Sequence, residues 1–107
     1  MATTTLDEQV KAYLDKLKQA GLSVSFAVVY GPSVTGEDDG FGDIDTVVVS
    51  PQFDNGSRME NLESLWDQLE GCESPIEPYP CGEDEWAHTQ ASRIIDRARR
   101  EGIRIEA

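Results

Sequence analysis

Two short runs of β-branched and aromatic residues constrain this chain most, because both are too apolar to lie on a wet surface. The run at 23–30 places apolar side chains on both of its sides, which predicts a strand covered on both faces. The run at 43–50 contains Val47-Val48-Val49, which is typical of a buried central strand. Strands of this kind require helices packed against the sheet.

Three helical segments are predicted to supply that cover. Residues 6–20 follow the capping-box pair of Thr5 and Glu8 and end at Gly21. A second helix begins at Ser57, ends at Gly71 and carries an apolar stripe made of Met59, Leu62, Leu65, Trp66 and Leu69. The third, at 83–100, has acids in its first turn and arginines in its last, as the helix dipole favours. Its predicted inner face contains Ala87, Ala91, Ile94, Ile95 and Ala98.

Two further strands complete the predicted order α-β-β-α-β-α-β. The one at 74–79 is assigned to a sheet edge, because it is bounded and interrupted by prolines. The last, at 103–105, alternates two isoleucines around Arg104. The chain of 107 residues has room for one domain and shows neither a repeat nor a linker. We therefore predict a single α/β (α+β) domain over 1–107, with three helices packed on a small mixed β-sheet.

The charge is unevenly distributed. The chain has a formal net charge of −12, and residues 19–92 hold 15 acids but only one base, Arg58. Such a surface argues against non-specific nucleic-acid binding and against anionic membranes. It favours a bound cation and a basic partner surface. The acids Glu37, Asp38 and Asp39 are interpreted as a solvated loop.

The cysteines and the N-terminus predict a cytoplasmic protein. Cys72 and Cys81 form no disulfide framework and match no zinc spacing, so we expect two free thiols in a reducing compartment. No apolar run is long enough to span a membrane, and the first residues lack the pattern of a secretory signal.

The chemistry-bearing pattern is Asp43-Ile44-Asp45, at the start of the second strand. Side chains two residues apart on a strand point to the same face, so two carboxylates would project together. An acid pair at a strand start can simply be solvated, but two close like charges favour a cation such as Mg²⁺. Glu77, on the proline-containing strand, is the candidate third ligand. The preceding loop is rich in glycines, which let backbone N–H groups approach a phosphate closely.

The segment from Phe26 to Val49 resembles the minimal nucleotidyltransferase family of the DNA polymerase beta-like superfamily. Members carry Gly-Ser, ten residues and then Asp-x-Asp; here Gly31-Pro32 is followed by ten residues and by Asp43 and Asp45. The similarity extends to Ile76-Glu77 and to the closing helix and strand, and so covers nearly the whole chain.

The resemblance implies a nucleotidyltransferase fold and an enzyme that moves a nucleoside monophosphate from an NTP, expected to be ATP, to a hydroxyl. Asp43, Asp45 and Glu77 would bind Mg²⁺ in a two-metal site and form the catalytic centre. Gly31, Ser33 and Gly36 would line the triphosphate. Small members pair with a HEPN-type protein, some as antitoxins that modify the partner toxin.

Pro32 motivates a second hypothesis. It stands at the family's serine position and has neither a hydroxyl nor an N–H to offer a phosphate. Glu77 is also one methylene longer than the commoner aspartate. The alternative is a catalytically weakened module that keeps the fold and neutralises or regulates a partner by docking.

Two other features have open interpretations. Arg93, Arg97 and Arg100 share one helix face, either as a solvated stripe paired with acids such as Asp96 and Glu101, or as a contact for a partner or a nucleotide phosphate. Trp66 and Trp86 are assigned to the core or to an interface rather than to nucleotide stacking.

Overall fold

The computed structural model describes residues 6–31, 44–70, 76–89 and 92–107, which contain four α-helices and four strands. The helices are α1 (Leu6–Gln19), α2 (Arg58–Asp67), α3 (Glu83–His88) and α4 (Arg93–Glu101), with a short 3₁₀ helix at Pro51–Asp54. The strands are β1 (Phe26–Tyr30), β2 (Ile44–Val49), β3 (Ile76–Cys81) and β4 (Ile103–Glu106). None of these described helices is long and apolar enough to cross a membrane.

The strands form one mixed sheet in the order β3-β2-β1-β4. β1 runs antiparallel to both β2 and β4, whereas β2 and β3 are parallel. The predicted mixed sheet is confirmed, as is the central position of the Val47-Val48-Val49 strand.

Both faces of the sheet are covered, as the apolar runs predicted. All five residues of β1 are buried. One face packs against α1 and α2 through a cluster that includes Tyr13, Leu14 and Leu65. The opposite face packs against α4 through Ile95 and Ala98, with the Trp86 ring of α3 edge-on to Phe26 at 5.7 Å. The sheet is therefore a buried middle layer, and β1 begins at 26 rather than 23.

The first helix ends where the glycine pattern predicted. Gly21 has φ +100°, a conformation that side chains disfavour, and its N–H donates to the Lys18 carbonyl. The next N–H, of Leu22, reaches back to the Leu17 carbonyl at 3.0 Å, which completes a Schellman cap. Ser57 likewise begins α2, since its Oγ accepts from the N–H of Glu60. Thr5, the predicted N-terminal cap of α1, lies outside the described residues. The prediction that α2 ends at Gly71 is wrong, because the helix ends at Asp67 with Gln68 as its C-terminal cap.

The prediction of one helix over 83–100 is wrong, because two helices occupy that segment. Thr89 is extended, with φ −69° and ψ 141°, and ends α3. Ser92 begins α4 by accepting the Ile95 N–H on its Oγ. The Arg99 guanidinium of α4 donates to the carbonyls of Thr89 and Trp86, which satisfies the open end of α3. Of the predicted inner face, Ala87 is exposed and Ala91 lies outside the described residues.

The stripe predicted for α2 is only partly buried. Leu65 is fully buried against the sheet, and Leu62 and Leu69 are half-buried. Met59 is 59 % exposed and Trp66 is 49 % exposed. Helical spacing identified the side of the helix, but only the packing against β3 determines how far that side is covered.

The strand β3 is an edge of the sheet, as its prolines predicted. The N–H of Ser50 donates to the Cys81 carbonyl. The backbone N–H and C=O groups of the odd-numbered residues of β3 therefore point toward β2. Pro78 and Pro80 alternate with these residues, so their backbone nitrogens, which carry no hydrogen, point away from β2. No hydrogen bond between the strands is therefore lost.

One side chain covers this proline-containing edge. The Arg58 guanidinium donates to the Pro80 carbonyl at 3.0 Å and to the Glu85 carboxylate at 2.7 Å, and it lies 4.9 Å from the Tyr79 ring centroid. Arg58 thus ties α2 and α3 to the strand that carries Glu77.

Candidate functional site

Three side chains from three neighbouring strands form a row on the α4 side of the sheet. The antiparallel register pairs Tyr30 with Asp45, and the parallel register pairs Asp45 with Glu77. Directly paired residues point to the same face, and adjacent strands lie about 4.8 Å apart. The fold therefore brings Asp45 and Glu77, two of the three predicted metal ligands, into adjacent positions.

Gly31 closes one side of this row. It is buried, has φ +85°, and lies so close to Asp45 that a Cβ on it would fall 2.6 Å from the carboxylate Oδ2. A side chain at this position would displace the carboxylate, and the backbone angle itself disfavours one. Glycine is thus required where the chain leaves β1 beside Asp45.

The pKa of the Tyr30 hydroxyl is raised by its surroundings in this row. Burial raises the pKa of Tyr30 to about 12, and the negative charges of Asp45 and Glu77 add to this increase. The positive charge of Arg97 acts in the opposite direction. Tyr30 is therefore a neutral hydroxyl at pH 7, in a region where the two carboxylates make the local potential negative.

Arg97 of α4 is a positive charge whose effect on Tyr30 links this helix to the row. Its Nε donates to Glu101 at 2.9 Å, and Arg100 pairs with Asp96 at 3.0 Å in the same way. These pairs confirm the predicted pairing of Arg97 and Arg100 with Glu101 and Asp96, and the contact with a partner or a phosphate stays a prediction. Because α4 packs on the face of the sheet that carries Tyr30, Arg97 lies on the same side of the sheet as Asp45 and Glu77.

The donor set of the row suits a hard cation. Carboxylate oxygens are the ligands that Mg²⁺ prefers, and the row places two of these carboxylates in adjacent positions beside a neutral hydroxyl. Among the described residues, no group of three or more His, Cys, Asp or Glu side chains is arranged to hold a metal. Asp43, the remaining predicted ligand, lies outside the described residues, so the full triad remains a prediction.

The rest of the predicted phosphate loop is also outside the described residues. This applies to Pro32, Ser33 and Gly36, and to the acids Glu37, Asp38 and Asp39. Of the predicted nucleotide-binding residues, the structure places only Gly31, and it places that glycine against Asp45.

The cysteine that the structure describes is buried and has a raised pKa. Cys81 is a buried free thiol at the end of β3, and burial raises its pKa to about 12. A thiol that stays protonated at neutral pH is a poor nucleophile. The prediction of a free thiol is confirmed for Cys81, whereas Cys72 lies outside the described residues.

Sequence reasoning missed Tyr30 as a neighbour of the carboxylates. The pattern assigned Tyr30 to an apolar face of the strand. In the structure, Asp45 lies on that same face of the sheet. The glycine directly after Tyr30 marked the end of β1, but the register across the sheet was needed to set Tyr30 opposite Asp45.

Comparison with known proteins supports the fold. No protein-family model matches the sequence, and no curated protein matches it significantly. A solved structure described as the crystal structure of a toxin–antitoxin with AMP-PNP is similar, with a TM-score of 0.61. The two chains are 12 % identical, and the match covers 94 % of this chain and 72 % of the other. The mixed sheet and its helices thus share a small α+β fold with that structure, and the predicted α+β class is confirmed.

Proposed function

We propose that this chain is a Mg²⁺-dependent nucleotidyltransferase that moves a nucleoside monophosphate, expected to be AMP from ATP, to a protein or small-molecule hydroxyl. The observation that carries the proposal is the adjacency of Asp45, Glu77 and Gly31 at one end of a mixed sheet. The similar solved structure, which was determined with AMP-PNP, supports a nucleotide as the ligand.

In this proposal each group of residues has a separate role in the transfer. Asp43, Asp45 and Glu77 hold Mg²⁺, which when bound offsets charge on the triphosphate. Gly31, Ser33 and Gly36 bind the phosphates through the backbone at the loop. Glu77 orients the acceptor hydroxyl and takes its proton. The acceptor oxygen bonds to the α-phosphorus as the bond to the pyrophosphate oxygen breaks, and pyrophosphate leaves.

The biological setting we propose is a toxin–antitoxin pair. The fold neighbour comes from such a system, and a protein partner of the HEPN type is the one that the sequence resemblance implies. In this setting the acceptor hydroxyl belongs to the partner, and transfer of AMP to it changes the partner's activity.

The test is transfer of label from ATP in the presence of Mg²⁺ and candidate acceptors. We expect transfer by the unaltered chain and its loss in Asp45→Asn and in Glu77→Gln. Asp15→Asn, which alters an exposed acid on α1, is the matched control and should retain the rate. Transfer that persists in the double variant Asp43→Asn/Asp45→Asn would rule out the assigned site.

The second candidate is a binding module that docks without catalysis, which Pro32 favours. Calorimetric titration with Mg-ATP separates the two candidates, because micromolar binding is expected only of the enzyme. If Pro32 weakens activity, then Pro32→Ser should raise the transfer rate.

A further inference from the structure

Helix α2 presents an apolar face to solvent. Met59 and Trp66 are 59 % and 49 % exposed, and Leu62 between them is half-buried. Residues seven apart lie on one side of a helix, two turns or about 10.5 Å from each other. Exposed tryptophan and methionine with this spacing are the type of anchors that pack against another helix.

The surroundings of these anchors are acidic. Four exposed acids lie on α2 or just after it: Glu60, Glu63, Asp67 and Glu70. The single base of α2, Arg58, is engaged with the Glu85 carboxylate and the Pro80 carbonyl. An occupant of this face therefore meets an apolar centre with negative charge beside it.

We propose that this face of α2 binds an amphipathic helix of a partner protein whose apolar stripe is flanked by lysine or arginine. Charge selects this occupant over two others. A second copy of this chain would bring the same acids against one another, and an anionic membrane would be repelled. A basic helix gains contact with the anchors and neutralises the neighbouring carboxylates.

The face is separate from the carboxylate row. Leu65 of α2 packs into the cluster on the α1 side of the sheet, whereas Asp45 and Glu77 lie on the α4 side. Docking on α2 would therefore leave the proposed catalytic end open, and it can be tested without any nucleotide.

The probe is an 18-residue peptide of leucine and lysine with its leucines at helical spacing, titrated calorimetrically into the full chain. We expect saturable binding that weakens at least tenfold in Met59→Ser/Trp66→Ser. Ile103→Ser is the matched control, because Ile103 on β4 is 48 % exposed and lies away from this face; it should bind as the unaltered chain does. Circular dichroism and the thermal midpoint check that each variant is folded.

A peptide of the same composition with its leucines out of helical register separates docking from simple charge attraction. Equal binding of the two peptides, absence of binding, or unchanged affinity of the double variant would each overturn the proposal. So would sedimentation that shows a dimer of this chain dissociated by Met59→Ser/Trp66→Ser, because the occupant would then be a second copy.

Discussion

The carboxylate of Asp45 lies against the backbone of Gly31, so closely that a Cβ on the glycine would fall 2.6 Å from Oδ2. Gly31→Ala should therefore displace the carboxylate as well as strain a backbone with φ +85°. We expect a loss of about 1–3 kcal/mol in the free energy of unfolding, together with loss of label transfer. Denaturant unfolding and the transfer assay measure the two effects.

A second glycine provides the control for this variant. Gly21 has φ +100° but no atom within 4 Å of a Cβ built on it, so Gly21→Ala carries the backbone strain without the collision. It should be destabilised by less and should transfer label normally. Equal behaviour of the two alanine variants would contradict the proposed part of Gly31.

The Tyr30 hydroxyl should titrate with a pKa of about 12, which carbon-13 labelling of the tyrosine rings measures by NMR, with Tyr30→Phe for assignment. Glu77→Gln should lower this pKa, because it removes one of the charges that raise it. Since the folded pKa exceeds the unfolded value near 10, the protonated phenol stabilises the fold below pH 10. This contribution, at most about 3 kcal/mol for a shift of two pKa units, should be lost as the pH rises from 10 through 12. A pKa near 10 in the folded chain would refute the burial argument.

Arg58→Ala should loosen the edge strand β3. The substitution removes hydrogen bonds to the Pro80 carbonyl and the Glu85 carboxylate and the contact with the Tyr79 ring. We expect a cost of about 1–2 kcal/mol, with faster amide exchange at Tyr79 and Cys81. Arg100→Ala breaks only an exposed pair with Asp96 and should cost less than about 0.5 kcal/mol. Similar costs for the two variants would show that Arg58 does not brace the strand.

Arg99→Ala should unravel the end of α3. The guanidinium donates to the carbonyls of Thr89 and Trp86 and lies over the Trp86 ring, 5.5 Å from its centroid. Its loss leaves those carbonyls to water and should cost about 1–2 kcal/mol, with a reduced near-ultraviolet circular dichroism signal from Trp86. Arg93→Ala, at an exposed position on the same helix, should leave that signal unchanged.

The sequence predicted the sheet and its cover well where apolar runs and caps act locally. The run at Val47-Val48-Val49 is typical of a buried central strand, and Gly21 could end α1 because one residue supplied the required backbone angle. The break between α3 and α4 was missed because the apolar period continues across it. The local signal for a new helix was Ser92, whose side chain accepts the N–H of Ile95 three residues later.

For the candidate site, the sequence offered Glu77 as a ligand beside Asp45 through its place on a strand and the family resemblance, and the parallel register of β2 and β3 sets the two side by side. The position of Tyr30 did not, because the register between β1 and β2 is set across a loop whose length no local rule fixes. The exposure of Met59 and Trp66 could not be predicted from the sequence either. A helical period gives the direction of a side chain, but not which element packs against it.

The prolines of β3 also have a consequence for self-association. Pro78 and Pro80 leave this sheet edge without two of the amide donors that an incoming strand would need, and Arg58 occupies the Pro80 carbonyl. Growth of the sheet by strand addition, the first step of many amyloid-like assemblies, is therefore disfavoured at this border. Replacement of both prolines would expose a template for aggregation at the border of the strand that carries Glu77.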